Sequence, residues 1–406
     1  MKKVVLLGIR NFDFFSSDLL NSIDLIIVCS NAADVPSQLS SKAHVIVIQT
    51  HYNSQSRCFE MAPEEVFSLL QQHLDITEIN AVFCNQEANL VTARRLRQLL
   101  NIKEPLNCDI ERFRNKLVMK GIVAEHGLRV PHFANDVGRS HVVLASKLGI
   151  PYIIKPCASV GSRGVFKIYH QSDFDLFLQE TANEDCIYQA EEYIDGILYH
   201  CDMVIQNRQF LFQYSCQYSC PNAEFQNGKI LGSFLVQPKS AIAEKLKIFA
   251  GNCMQALGEP DGCFHMEIFI KSDGEPVFLE VAARSPGLSI VPIYQSWLGV
   301  NLYDAELSIQ IGEDASPLFK TSPDFIPLPM FYAVLPKKAG TISQLNDPEI
   351  RSQYKLNWNV TLGETLGNTT TNLDFAGKLL VTNSSADDLA FDWDYICNKF
   401  EPLSYT

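Results

Sequence analysis

Two strand-like runs meeting at one turn constrain this chain more than any other feature in it. The segments "CFHMEIFI" and "PVFLEVAA" flank Asp273-Gly274, and an Asp-Gly pair between β-prone runs is a strong hairpin signal. With Asp273 and Gly274 as the two central turn residues, position i pairs with position 547 minus i, and Glu267 stands opposite Glu280. Like charges across a strand pair are destabilising. The pairing therefore asks for positive charge between or beside the carboxylates, and a hard divalent cation such as magnesium suits carboxylate oxygens. Two unrelated glutamates on a solvated face are the alternative reading of the same residues. Arg284 follows in "EVAARSPG".

At 406 residues the chain exceeds the size at which one core keeps growing, so roughly two to four domains or subdomains are expected. A formal net charge of -13 argues against broad binding to nucleic acid or anionic membranes, while leaving room for a local basic phosphate site. The opening apolar run "VVLLGI" ends at Arg10, too short for a signal-peptide core, and no run reaches the ~18 apolar residues of a membrane helix. Twelve scattered cysteines fit reduced, mostly buried thiols and a cytoplasmic location. Cys216 and Cys220 form the one close pair before a proline, with no second pair of ligands at zinc-site spacing.

The first hundred residues alternate strand and helix. "KKVVLLGI", "DLIIVCS", "HVIVIQ" and "AVFCN" read as buried strands, with "PEEVFSLLQQHL" and "ANLVTARRLRQLL" as helices, which is a parallel α/β layer. Gly8 has no G-x-G-x-x-G around it, so a nicotinamide enzyme loses support. Glu87 lies at a strand's carboxyl end, where open α/β sheets place ligands. A helix is expected from an N-cap at Asp109 to a stop at Gly127, with Lys116 and Lys120 four apart on one face, where lysines are ordinarily solvated. The strand "YIIK" ends in Lys155, and the loop "ASVGSRG" leads into "VFKIY" as a hairpin tip. Its glycines let backbone approach a ligand, and the peptide N-H groups and hydroxyls of Ser159 and Ser162 suit phosphate oxygens. Glu191 and Glu192 interrupt the apolar strand "CIYQAEEYIDG". From about Phe331 the chain reads as a small β-rich appendage with turn glycines at Gly340, Gly363, Gly367 and Gly377 and a closing helix.

In this order the parts resemble the ATP-grasp superfamily, and within it the carboxylate-amine ligases that include L-amino-acid ligases and carnosine-synthase-like enzymes. The resemblance rests on "NKLVMK...HGLRVP", "YIIKP" with its small-residue loop, "QAEEYIDG" and the two-glutamate hairpin, and covers nearly the whole chain. It implies an α/β and α+β multidomain fold: a Rossmann-like pre-ATP-grasp domain over 1–108, a two-lobed ATP-grasp domain over 109–325 with its small ATP-binding lobe at about 120–188, and a β-rich C-terminal cap over 326–406. By position, Lys116 and Lys155 resemble the lysines that contact ATP phosphates, and Ser159 to Gly164, with Gly161 and Ser162, the flap over them. Glu191, Glu192, Tyr193 and Ile194 resemble the hinge that reads adenine and ribose, with Ile153 and Phe269 as the apolar sandwich. Glu267 and Glu280 resemble magnesium ligands, with manganese as a substitute, and Arg284 the arginine that steadies the transferred phosphoryl group.

Two positions depart from the family pattern. Ala282 stands where relatives read asparagine in E-x-N-x-R, which puts a second magnesium in doubt. Leu198 stands where many relatives have a ribose-binding acid, leaving Glu192 or Asp202 to serve. The resemblance implies ATP-dependent amide formation between a small-molecule carboxylate and an amine through an acyl-phosphate, in an enzyme whose relatives often form homodimers. The alternatives are another ATP-grasp ligase, of purine biosynthesis or carboxylase type, or a nucleotide-binding module without turnover. His265 is expected either to touch substrate or to pack in the core, and His200 with Asp202 to serve a structural role. The polar stretch from Gln213 to Pro238 is expected to line the acceptor side.

Overall fold

The computed structural model describes residues 1–9, 11–138, 140–320 and 328–406. Arg10 and the expected boundary at 325/326 lie outside the described residues. The N-terminal sheet is parallel, in the order His44–Val47, Ile23–Cys29, Lys2–Leu7, Ile79–Phe83. Its near-continuous apolar strands follow from burial on both faces. Val4 and Leu6 face one cluster with Phe15, Phe83 and Tyr303, while Val5 and Leu7 face another with the helices Pro63–His73 and Leu90–Leu99.

A second, four-stranded antiparallel sheet orders Phe133–Ala134, Tyr188–Glu192, Tyr152–Pro156, Phe166–Ile168. It has its own core, in which Tyr152, Ile154 and Tyr188 pack on Phe174 and Phe177 of the helix Gln171–Thr181. The third sheet holds eight strands: Pro276–Ala282, Gly262–Lys271, Gly196–Gln206, Gln209–Tyr218, Leu231–Leu235, Met330–Leu335, Gly377–Thr382 and Gln353–Trp358. The C-terminal strands thus do not stand apart, because Met330–Leu335 hydrogen-bonds directly to Leu231–Leu235. Gly340 and Gly377 open strands and are not turn residues, whereas Gly363 has the positive φ of a turn.

The carboxylate hairpin reaches the expected pairing by a different route. Its turn has three residues, 272–274: Lys271 N-H bonds Glu275 O, Gly274 N-H bonds Lys271 O, and Gly274 takes φ +83. That places Ile270 opposite Pro276 and Ile268 opposite Phe278, one step away from the two-residue register. A bulge at Leu279 then restores Glu267 opposite Glu280. A bulge turns two successive side chains toward one side. Leu279 and Glu280 accordingly line one cavity together with Glu267 and Phe269.

The helix expected from Asp109 to Gly127 is two pieces. Asp109 caps a 3-10 turn at Ile110–Phe113, the chain breaks at Arg114, and the Asn115 side chain accepts from Leu117 and Val118 N-H to start the helix Lys116–Glu125. No helix among the described residues is long and apolar enough to cross a membrane.

A Cβ on Gly196 would stand 2.7 Å from the Ile270 carbonyl oxygen, and backbone cannot yield as a flexible side chain can. Gly196→Ala is expected to lower the urea midpoint by an amount equivalent to about 1–3 kcal/mol. Gly121→Ala, in the helix Lys116–Glu125 with nothing within 4 Å, is expected to raise it by about 0.5–1 kcal/mol. Equal midpoints for the two variants would refute the packing argument.

Candidate active site

Lys116 and Lys120 share the inward face of their helix, and neither is solvated: they are 7% and 0% exposed. Lys116 Nζ donates to Ser159 O at 2.9 Å and lies 3.5 Å from Glu280. Lys120 donates to Glu191, whose other oxygen lies 2.7 Å from Lys155 Nζ, and Lys155 also lies 3.5 Å from Glu280. Burial pulls the Lys120 ammonium down to about 8 against the pull of Glu191. Burial works the same way on Lys155, but Glu191 and Glu280 outweigh it and hold that ammonium above its ordinary value. Burial would raise the Glu280 carboxyl, yet Lys116 and Lys155 bring it down to about 2. Charged forms therefore persist at low solvent exposure because each is paired. The Glu191 carboxylate thus bridges two lysines, while the residue also lines a cavity beside them.

These groups lie along a cavity of about 420 Å³. Lys116, Ile153, Lys155, Ser159, Ser162, Glu191, Glu192, Tyr193, Ile194, Glu267, Phe269 and Glu280 all line it. Gly164 does not; with φ +69 it sits where a Cβ would meet Arg57 Nε at 3.1 Å. The Ser159 hydroxyl donates to Arg163 O, within its own loop. Arg163 in turn donates to Arg57 O at 3.0 Å and Cys58 Sγ, so the loop is tied to the N-terminal part of the chain. Glu192 is held by Arg129 at 2.7 and 2.8 Å. Leu198 lines the cavity and Asp202 does not, which removes Asp202 as a ribose ligand.

A smaller cavity of about 90 Å³ adjoins the first and shares Lys116, Ser162, Asn222, Glu267 and Glu280 with it. Gly161, Arg284, Glu87 and His265 also line it. Glu87 accepts from Arg284 Nε at 2.9 Å and Nη2 at 2.7 Å; burial opposes the guanidinium charge and Glu87 restores it, so its pKa rises. From the polar stretch 213–238, Tyr218, Asn222 and Leu231 reach this cavity, while 221–227 borders mainly the larger one. Ser285, next to Arg284, is anchored through N-H and Oγ to Glu306 at 3.1 and 2.6 Å. Burial pushes the Glu306 carboxyl up to about 7.

His265 is both a cavity wall and part of a core network. Its Nδ1 is 2.6 Å from Asp202 Oδ1, His200 Nδ1 is 2.8 Å from Asp202 Oδ2, and Tyr294 OH donates to the same Oδ2 at 2.6 Å. Burial alone would lower both imidazoles, but the Asp202 charge holds each near about 9. His200, Asp202 and His265 are close enough to suggest a metal site. Their separations are those of direct hydrogen bonds, shorter than the roughly 3.3 Å edge of a tetrahedron with ligands at ~2.0–2.1 Å. Cys216 and Cys220 belong to no metal-ligand group among the described residues, and all twelve cysteines are free.

The two facing glutamates fit a hard cation on chemistry that the fold itself displays: two carboxylates opposite each other on one cavity wall, Glu267 buried and Glu280 partly exposed, with a buried amide oxygen at Asn222 that has no partner. Lys120, expected on a solvated face but fully buried, and Asn222, not singled out within the stretch 213–238, are the residues that sequence reasoning did not assign to the site. Lys120 had a signal, since a glutamate buried within a strand demands a cation nearby.

No family model matches the chain. It is 26% identical over 289 residues, 70% of its length and 69% of the relative's, to an L-arginine-specific L-amino acid ligase of Bacillus subtilis. It is 24% identical over 220 residues to a D-alanine--D-alanine ligase of Nitrosomonas eutropha, covering 50% of this chain and 66%, just under two thirds, of that protein. Its fold superposes on an L-amino acid ligase from Bacillus licheniformis with TM-score 0.74 and 16% identity, over 100% of this chain and 99% of the other.

A raised carboxyl pKa favours folding while the group is protonated, so the Glu306 contribution is complete below about 4.5 and is lost as pH rises through about 7. The span from 4.5 to about 7 corresponds to about 3 kcal/mol. Glu306→Gln is expected to remove that part of the decline, so the difference in thermal midpoint between variant and wild type should widen from pH 5 to pH 8. Parallel midpoint curves would show that Glu306 does not titrate in this window.

Proposed function

We propose, for a chain that is an ATP-grasp carboxylate-amine ligase, that it joins a small carboxylic acid, an amino acid in the first instance, to an amine through an acyl-phosphate, releasing ADP and phosphate. The observation that carries this reading is the pair of adjoining cavities with one charged wall between them. The larger suits a nucleotide, with Ile153 and Phe269 beside the base, Glu191 to Ile194 at its edge, and Lys116 and Lys155 at the phosphates. The smaller suits the reacting acid, and its size favours a compact molecule. We further read residues 1–108 as one domain and 109–325 as a second, with the small sheet as its ATP-binding lobe, and 326–406 as a cap whose strands continue the eight-stranded sheet of the second.

In the first step a carboxylate oxygen bonds the γ-phosphorus, the bond from that phosphorus to the bridging oxygen breaks, and ADP leaves. Anionic oxygens crowd together as this happens. Lys116 on the shared wall and Lys155 on the wall of the larger cavity neutralise them without reorganising, and Arg284, held by Glu87, presents its charge from the acid's side. Magnesium held by Glu267 and Glu280 would supply further charge neutralisation at the phosphate oxygens. In the second step the amine nitrogen bonds the carbonyl carbon, phosphate departs, and the proton released by the amine leaves with it. The loop 159–164, latched by Arg163, keeps water from hydrolysing the mixed anhydride.

Phosphate release from ATP, followed against amino acids singly and in pairs with mass spectrometry of the products, tests this directly. Release that needs two substrates, with a product equal to their sum minus water, is expected. Release with one substrate and no condensed product would refute it. Glu280→Ala and Arg284→Ala are each expected to lower turnover by at least about a hundredfold with the fold intact by circular dichroism. Near-normal rates in either would remove that residue from the site.

A further inference from the structure

Glu267 is the less guarded of the two facing carboxylates. Glu280 has two lysines within 3.5 Å, whereas among the described residues Glu267 has no lysine or arginine partner at ion-pair distance. Its oxygen Oε1 is 2.7 Å from the Asn222 side-chain amide nitrogen and 3.7 Å from His265 Nε2. Asn222 opens the 3-10 turn Asn222–Phe225 and lines both cavities, at their shared wall. Its amide oxygen is buried and has no hydrogen-bond partner. An orphaned buried carbonyl is costly, and such an atom in a native fold calls for a ligand.

We infer that Asn222 supplies its amide oxygen as the third protein ligand, beside Glu267 and Glu280, to the divalent cation; this rests on the cation reading of the two glutamates proposed above. The amide's two terminal atoms exchange by a half-turn about the last side-chain bond. In this structure the nitrogen faces Glu267 and donates to it. With a cation the oxygen takes that place. An octahedral magnesium has oxygen ligands at ~2.0–2.1 Å, so neighbouring ligand atoms lie about 3 Å apart, close to the 2.7 Å separation found here. Two bare oxygens at that distance repel, and a cation between them removes the repulsion. The all-oxygen set of two carboxylates and one amide suits magnesium or manganese over softer metals. Ala282, two residues beyond Glu280 and on the wall of the smaller cavity, offers only a methyl group, so the amide comes from a different loop.

The test is manganese(II) binding to the full chain, read by electron paramagnetic resonance of free and bound ion, with and without a non-hydrolysable ATP analogue. Asn222→Ala is expected to weaken manganese binding by about tenfold or more. Asn222→Asp, which keeps the oxygen and loses the N-H, is expected to bind at least as tightly as wild type. Thermal unfolding in the absence of metal checks that both variants are folded. Wild-type manganese affinity in Asn222→Ala, with Glu267→Gln weakened, would overturn the Asn222 assignment and leave the carboxylate site standing. Loss in Asn222→Asp equal to that in Asn222→Ala would also overturn it, because the amide would then matter only as a donor to Glu267. Unchanged affinity in Glu267→Gln and Glu280→Gln would overturn the cation site itself.

Discussion

The largely buried ion cluster of Lys116, Lys120, Lys155 and Glu191, closed by the partly exposed Glu280, is the interaction on which the rest depends. Its members come from a helix, from the small sheet and from the edge of the eight-stranded sheet, so one set of charges fixes three elements against one another. Removing one partner of such a set typically costs 3–5 kcal/mol, since the survivor is left as an uncompensated buried charge. The arrangement is costly as a means of stability alone. Its value lies in holding ammonium groups beside a cavity with their orientation already fixed.

Local geometry around that cluster serves the same end. Asn115 starts a helix where the chain would otherwise continue a 3-10 turn, and this sets the phase that turns Lys116 and Lys120 inward. The Leu279 bulge lets an apolar and an acidic side chain share one face of a strand, which regular alternation forbids. Ser285, pinned by Glu306, limits where the neighbouring Arg284 can swing.

The sequence carried the order of the parts, the parallel N-terminal layer and the opposition of Glu267 and Glu280. Strand pairing near a tight turn is a short-range property, and the period-two pattern exposes it. The turn length escaped, because an Asp-Gly pair serves two- and three-residue loops alike, and the bulge cancelled the difference at the glutamates. Lys120 and the bridging role of Glu191 escaped because a lysine's burial depends on what packs over it from 71 residues away. Asn222 lies in a loop with no periodicity, and only three-dimensional placement reveals that its oxygen lacks a partner.

The two cavities do not merely touch. Lys116, Ser162, Asn222, Glu267 and Glu280 belong to both, so whatever fills one changes the charge and the shape of the other. Binding in the two is therefore thermodynamically linked, and the factor by which an occupant of one alters affinity in the other must be the same in both directions. A common wall makes the order in which ligands arrive a matter of kinetics, while the free energy of the fully loaded state stays the same by either route.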